Sequence, residues 1–219
     1  MNLVIYGDSN YAELIKYYFE SDSNYKVVGF CVDRAYKTRD EFCNLPVVSF
    51  EEVENYFPIE THHIFAAIGY KSMRARRMLF EKMSLKKYTI ASYISSRAII
   101  DDSNEIGHNC TILPGAILEP FVKIDSNCFI NTGVVICHHS KIQAHCFLAA
   151  GSLVGGYVVI EECSFVGFRA TVIQQLQLAP ETLIAANSTL LKNTEESTMY
   201  AGTPAKAIKT HLERGIEII

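Results

Sequence analysis

Two hydrophobic rhythms divide this chain. Up to about residue 90, short apolar runs alternate with helical spacing. Residues 3–6, 25–32, 47–48 and 64–68 read as strands. Residues 11–20 place Ala12, Leu14, Ile15 and Tyr18 on one helical face, and residues 72–83 read as a basic helix. Strand, helix, strand in that order predicts a small βαβ unit with a parallel sheet. Its first strand ends in turn chemistry, Gly7-Asp8-Ser9-Asn10.

From residue 100 the helical period gives way to a period of six. Every sixth residue from Ile100 to Leu190 is Ile, Leu or Val, sixteen in register without a slip. With about a quarter of residues aliphatic, chance would produce that run about once in a billion trials. Four residues after each aliphatic comes a second, mostly small slot: Cys110, Ala116, Cys128, Ser140 and Cys146 are examples. Hexads of this kind mark a parallel β-helix. Each hexad forms one flat face, three hexads close a triangular coil, and the aliphatic fills the interior. Five coils at the strand spacing make a prism about 24 Å tall. The expected architecture is therefore an α/β cap over residues 1–92, a β-helix over 98–199 and a terminal segment over 200–219. In that last segment Gly202-Thr203-Pro204 reads as a turn, followed by a short helix from Ala205 to about Gly215.

The lattice changes how the cysteines read. There are seven, an odd count with no CxxC pair, which fits a reducing compartment better than disulfides. Cys110, Cys128 and Cys146 lie 18 apart, one full coil, so they should stack inside the prism, continued by Ser164 and Thr182. Small soft core side chains, not thiol catalysts, are the expectation.

Composition removes several classes of function. Twenty Lys and Arg against 24 Asp and Glu leave a formal net charge of −4. That disfavours a nucleic-acid-coating surface. Apolar residues at 49% support a packed core, yet no run approaches the roughly 20 residues that span a bilayer. The N-terminus carries no basic stretch and reads as a strand, so a cytoplasmic protein without membrane association is expected. The first turn is no dinucleotide fingerprint, which disfavours NAD.

Among seven histidines, His138 takes the third slot of its hexad and His139 and His145 the fourth. None is an inward slot. On spacing alone, His138 and His139 are either surface imidazoles or part of a groove between neighbouring prisms. Intervals of one, six and seven residues have no ligand logic for zinc, so no metal is expected.

Taken together, the cap, the unbroken hexads, the mid-prism His and Ala201-Gly202-Thr203-Pro204-Ala205-Lys206 resemble the left-handed β-helix sugar acyltransferases. The resemblance is nearest to nucleotide-amino-sugar N-acetyltransferases of the PglD type, along with sialic-acid O-acetyltransferases of the NeuD type. It implies a left-handed coil and a homotrimer with active sites at subunit boundaries. It also implies acetyl-CoA or another acyl-CoA as co-substrate, and a dTDP- or UDP-linked amino sugar as acceptor. His138, following Ile130-Asn131-Thr132, takes the role of general base, with Asn131 near the sugar. Gly7, Ser9, Asn10 and Tyr11 would hold the diphosphate and Asp33 the pyrimidine, with Gly69 and Tyr70 lining the same pocket. His139 stands where the family carries Glu, and Phe147 where it often carries a second His; His139 is read as a substrate contact. Coenzyme A would run past Gly156, Gly167 and Ala186. Gly156 lies one coil above His138 (138 + 18), where its N–H could hold an oxyanion. The expected chemistry is transfer of acetyl, or a longer acyl, to a sugar amine. O-acylation, or a β-helix without catalysis, stand as alternatives. A γ-class carbonic anhydrase would not need the cap.

Overall fold

The computed structural model describes residues 1–69 and 71–218. They form two compact units, Met1–Gly69 with Met78–Tyr93 and Tyr70–Arg77 with Ile94–Ile219.

The first unit is built on a six-stranded sheet. Its elements are β1 (Asn2–Tyr6), α1 (Asn10–Asp22), β2 (Lys26–Val32), β3 (Glu41–Phe42), β4 (Leu45–Ser49), α2 (Val53–Tyr56), β5 (His62–Ala66) and β6 (Thr89–Ile90). The sheet order is β3-β4-β2-β1-β5-β6, parallel except for the β3-β4 pair. β1 is central and buried on both faces, which is why it reads as an unbroken apolar run rather than an alternating one. Helix α1 buries Ala12, Ile15 and Phe19. Leu14, expected in that stripe, is exposed, and Phe19 closes the stripe instead: positions i, i+3 and i+7 share a helical face and i+2 does not.

The second unit is a left-handed parallel β-helix. Two-residue strands pair with their counterparts 18 residues on, as in Thr111↔Phe129, Phe129↔Phe147, Phe147↔Phe165 and Phe165↔Leu183. Three parallel sheets result, one per face. The period-six aliphatics fill the interior from Ile112 to Leu190, with Ile100 and Ile106 partly buried against them. Cys110, Cys128 and Cys146 stack inside as expected, at most 1% exposed. Each thiol donates to a carbonyl 15 residues on: Asp125, Gln143 and Glu161, at 3.2, 3.1 and 3.2 Å. Burial pushes the Cys128 thiol well above its ordinary range, and the neighbouring Cys128 does the same for Cys110. These are inert core thiols.

The corners carry a regularity that hydrophobicity does not reveal. The fourth slot of every hexad from Asn109 to Asn187 has positive φ, between +52° and +76°. Three of these residues are Gly; the rest are of many types, Phe121, His139 and Tyr157 among them. A non-glycine residue there costs on the order of 1–2 kcal/mol. The coil below offsets that cost, because corner N–H groups reach its carbonyls. Examples are His139 to Pro120 (3.2 Å), Tyr157 to His138 (3.0 Å) and Gln175 to Gly156 (2.8 Å).

The C-terminal expectation needs correcting. Residues Ala205–Thr210 are not a helix but a strand, antiparallel to Thr198–Gly202. Thr198–Gly202 in turn pairs with Leu183–Ile184. Helix propensity in Ala-Lys-Ala yields here to an open ladder: the last coil offers unpaired backbone groups that a strand satisfies and a helix cannot. The adjoining residues are pinned by Arg74, whose guanidinium grips Glu181 twice (2.5 and 2.7 Å) and donates to the carbonyls of Leu212 and Glu213.

That clamp should be visible in a pH titration of stability. The Arg74 guanidinium, and then the Ser197 hydroxyl, hold the Glu181 carboxyl below its usual range against opposing burial. A depressed folded-state value contributes stability above the unfolded value near 4.3, and loses it as pH falls through the folded value. Glu181→Gln should therefore lower the melting temperature at pH 7 by a few degrees, and the deficit should shrink as pH falls towards 3. Thermal melts by circular dichroism across pH 3–7 test it; a constant offset at every pH would contradict it.

Candidate active site

Two places gather the residues that the sequence singled out. The first is a cleft of ≈ 240 Å³ within the cap unit, lined by Tyr6, Gly7, Val32, Asp33, Tyr36, Ala67, Ile68, Gly69 and Leu79. It opens where β1, β2 and β5 end side by side, as open α/β sheets form their binding crevices. Gly7 is what lets β1 end there. Its φ is +127°, and a Cβ would lie 2.9 Å from the Ala67 carbonyl oxygen, so any side chain would block the crossing. Gly7, Asp33 and Gly69 thus line one cleft. Ser9 caps α1 without spending its hydroxyl on the helix, and Ser9 and Asn10 are exposed beside the first turn. Tyr11 is half-buried in that turn. Tyr70 lies outside the described residues.

Asp33 is held from two sides. Tyr6 donates its hydroxyl to Asp33 Oδ1, and Lys82 Nζ donates to the same oxygen at 2.7 Å. Burial, then the Asp33 bond, push the Tyr6 phenol far up, so it stays a donor. Burial opposes the Lys82 charge, but the Asp33 and Glu51 carboxylates outweigh it and raise its value. Tyr6 itself is fixed by a stack on Phe50 at 4.2 Å, 10° from parallel. Sequence reading missed Tyr6, Tyr36 and Lys82; only Tyr6, the last residue of a strand that ends at a crevice, carried a signal.

The second place is the corner of the prism at His138 and His139. The backbone N–H of His138 donates to Glu119 Oε2 at 2.9 Å, from the coil below. Its Nδ1 lies 3.2 Å from Nδ1 of His139. His139 is stacked under Tyr157 (4.7 Å, 17° from parallel) and meets Phe121 below at a tilt (4.8 Å, 43°), while His138 meets Tyr157 edge-on at 5.3 Å. Both imidazoles are exposed, as are Phe121 and Tyr157. Above His138 sits Gly156: a Cβ there would lie 2.9 Å from Cε1 and 3.0 Å from Nε2 of the imidazole. Among the described residues the Gly156 N–H meets no acceptor. A proton acceptor and an unspent backbone donor therefore share one corner of the prism. Burial, then the charge of Glu119, push the neighbouring Cys137 thiol up, so it is no competing nucleophile.

Not all the expected residues converge. Asn131 spends its side-chain oxygen on the Thr132 N–H (2.7 Å) and makes no hydrogen bond to either histidine. Gly167 and Ala186 do meet, but a Cβ on Gly167 would lie 2.6 Å from the Ala186 nitrogen; that glycine is needed for coil stacking. Glu119, Phe121 and Tyr157 were missed. One-coil arithmetic finds two of them, since 121 and 157 are 139 ∓ 18. Among the described residues no group of three or more His, Cys, Asp or Glu is placed to hold a metal ion, and no helix is long and apolar enough to cross a membrane.

Comparison with known proteins matches the same two units. Residues 2–83 match the PglD N-terminal domain family, and residues 105–138 match the bacterial transferase hexapeptide family of six repeats. Among solved structures, a variant of the GDP-perosamine N-acetyltransferase of Caulobacter crescentus, bound to CoA and GDP-perosamine, is 22% identical. It aligns over 95% of this chain and 97% of its own, with a TM-score of 0.86. The acetyltransferase domain of PglB from Neisseria gonorrhoeae FA1090 is 20% identical over 94% and 99% of the two chains (TM-score 0.83). WeeI from Acinetobacter baumannii AYE is 19% identical over 95% and 100% (TM-score 0.79). At these identities the structural matches establish a shared fold. The chain thus carries a PglD N-terminal domain followed by a bacterial transferase hexapeptide region, in the order that its sequence resemblance implied.

Proposed function

We propose that this protein is a CoA-dependent N-acyltransferase. It moves an acyl group, acetyl in the simplest case, from acyl-CoA to the amino group of a nucleotide-linked amino-dideoxy sugar. The observation that carries the reading is the pairing at one corner of the His138 imidazole with the unspent N–H of Gly156. Solved relatives in complex with CoA, and with GDP-perosamine or acetyl-CoA, support the class of both substrates.

An ammonium cannot attack a thioester, so a proton must first leave the nitrogen. Imidazole, which ordinarily titrates near 6.5, takes it at neutral pH. The free amine then adds to the thioester carbonyl. The Gly156 N–H faces the oxyanion that develops, a contact of a kind typically worth about 3 kcal/mol. As the tetrahedral intermediate collapses, the C–S bond breaks, the proton on His138 passes to the departing thiolate, and the freed imidazole takes the second proton from the nitrogen and releases it to solvent. Products are the amide and free CoA, with no covalent enzyme intermediate. Two prisms side by side, in a homotrimer, form the groove for CoA.

In the cap, Tyr6 and Lys82 both engage Oδ1 of Asp33. The remaining carboxylate oxygen matches the single imide N–H of uracil or thymine, and Lys82 can face a ring carbonyl. Guanine presents two donors on that edge and is matched less well. The unspent Ser9 hydroxyl and the start of α1 suit the diphosphate.

The test is product analysis by mass spectrometry, with aminated and hydroxylated dTDP-, UDP- and GDP-sugars and several acyl-CoAs. An amide on a pyrimidine nucleotide sugar is expected, and Asp33→Asn should raise its KM roughly 10- to 100-fold. An ester product, or no turnover with any donor, would overturn the reading.

A further inference from the structure

The geometry points to His139 as the positioning residue that fixes the tautomer of His138: His139 Nδ1 accepts a hydrogen bond from His138 Nδ1–H, which leaves His138 Nε2 bare. This rests on the reading of His138 as the base; the Nδ1 to Nδ1 contact of 3.2 Å supplies the rest.

A hydrogen bond between two imidazole nitrogens needs one donor and one acceptor. Two neutral arrangements are possible. If His139 donates, His138 Nδ1 accepts, and the proton of His138 then sits on Nε2. That ring could give a proton but not take one. If His138 donates, its Nε2 carries the lone pair, on the atom that faces Gly156. Only the second arrangement is a base.

Free imidazole prefers the Nε2–H form, so an acceptor at Nδ1 is what reverses the preference. His139 is held for that task. Its backbone has φ +61°, and its ring stacks on Tyr157 and packs at a tilt against Phe121. The Glu119 carboxylate from the coil below is engaged by the backbone N–H of His138 and has no hydrogen bond to the ring among the described residues. The titratable groups facing the pair are Glu119 from the coil below, Cys137 from the preceding residue and Tyr157 from the coil above.

A carboxylate at 139 would always accept, whereas a phenyl group never could.

The test compares His139→Glu, His139→Asn and His139→Phe in the thiol-release assay with acetyl-CoA and the acceptor sugar. Phe fits the corner, since Phe121 holds the same slot at φ +64°. With His139→Phe, kcat should fall roughly 10²-fold at unchanged KM. That is short of the ~10⁴ that a wrong tautomer costs a serine-protease histidine, because the exposed ring can re-tautomerise. His139→Glu and His139→Asn should restore most of kcat. His139→Glu should also move the acid limb of kcat/KM upward by about one pH unit or more. Packing alone would give the opposite order, with His139→Phe near the parent and His139→Glu impaired.

A second readout needs no activity: ¹⁵N spectra of the imidazoles, assigned with His138→Asn, should show His138 protonated at Nδ1 and bare at Nε2. Finding Nε2–H there, or full kcat in His139→Phe, overturns the positioning role. Full turnover in His138→Ala would instead remove the base itself, so the two failures are distinguishable.

Discussion

His138→Ala should lower turnover by roughly 10²- to 10⁴-fold, the usual contribution of a positioned base, and leave melting temperature and acyl-CoA binding unchanged. The side chain is exposed at the third slot and packs nothing into the prism interior. What the fold takes from this residue is backbone: its N–H bonds Glu119 and its carbonyl accepts from Tyr157, and alanine keeps both. A loss of rate with no loss of stability is therefore the signature of chemistry at this ring. The measurement is thiol release under saturating substrates, alongside a thermal melt. Added imidazole should restore part of the rate, since the vacated space lies open to solvent. Wild-type turnover in the variant would remove His138 from the mechanism and leave the fold intact.

How far the sequence reached differs between the prism and its corners. Interior slots were readable because only aliphatic and small side chains fit there, so residue type reports position. The stacked cysteines follow from the same rule. Fourth slots were not readable, because the left-handed backbone is imposed by the ladder of the neighbouring coil, and Asn, His, Phe, Tyr, Gln and Glu all take it. Yet those corners carry the site. Phe121, His139 and Tyr157 form one column only through the 18-residue repeat, so their contact is visible in arithmetic on the lattice and not in local pattern. The last strand failed for the converse reason: Ala205–Thr210 favours helix locally and is claimed by an open sheet edge that only the assembled coil provides. In the cap, Asp33 could be placed by resemblance, whereas its partners Tyr6 and Lys82 come from β1 and from a helical residue 49 positions on.

The neighbouring glycines 155 and 156 should separate folding from catalysis when each is changed to alanine. A Cβ on Gly155 would point into the next coil, 2.5 Å from the Gln174 nitrogen, 2.8 Å from the Ile173 carbonyl carbon and 2.9 Å from the Gln174 Cα. All three are backbone atoms held in a hydrogen-bonded ladder, so none can move alone. Gly155→Ala should destabilise by about 1–3 kcal/mol or more, the usual penalty for overpacking, and lower the melting temperature by several degrees. The nearest atoms to a Cβ on Gly156 all belong to the exposed His138 ring, at 2.9, 3.0 and 3.4 Å. That ring can swing aside, so Gly156→Ala should fold and melt like the parent. The displaced imidazole loses its place, and a shift of about 1 Å in a reacting group can cost about 10²-fold in rate. Melting curves and kcat measured on both variants give the test. A stable, fully active Gly156→Ala would mean that His138 does not work from beneath Gly156. Equal losses of stability in the two variants would mean that both glycines serve the coil alone.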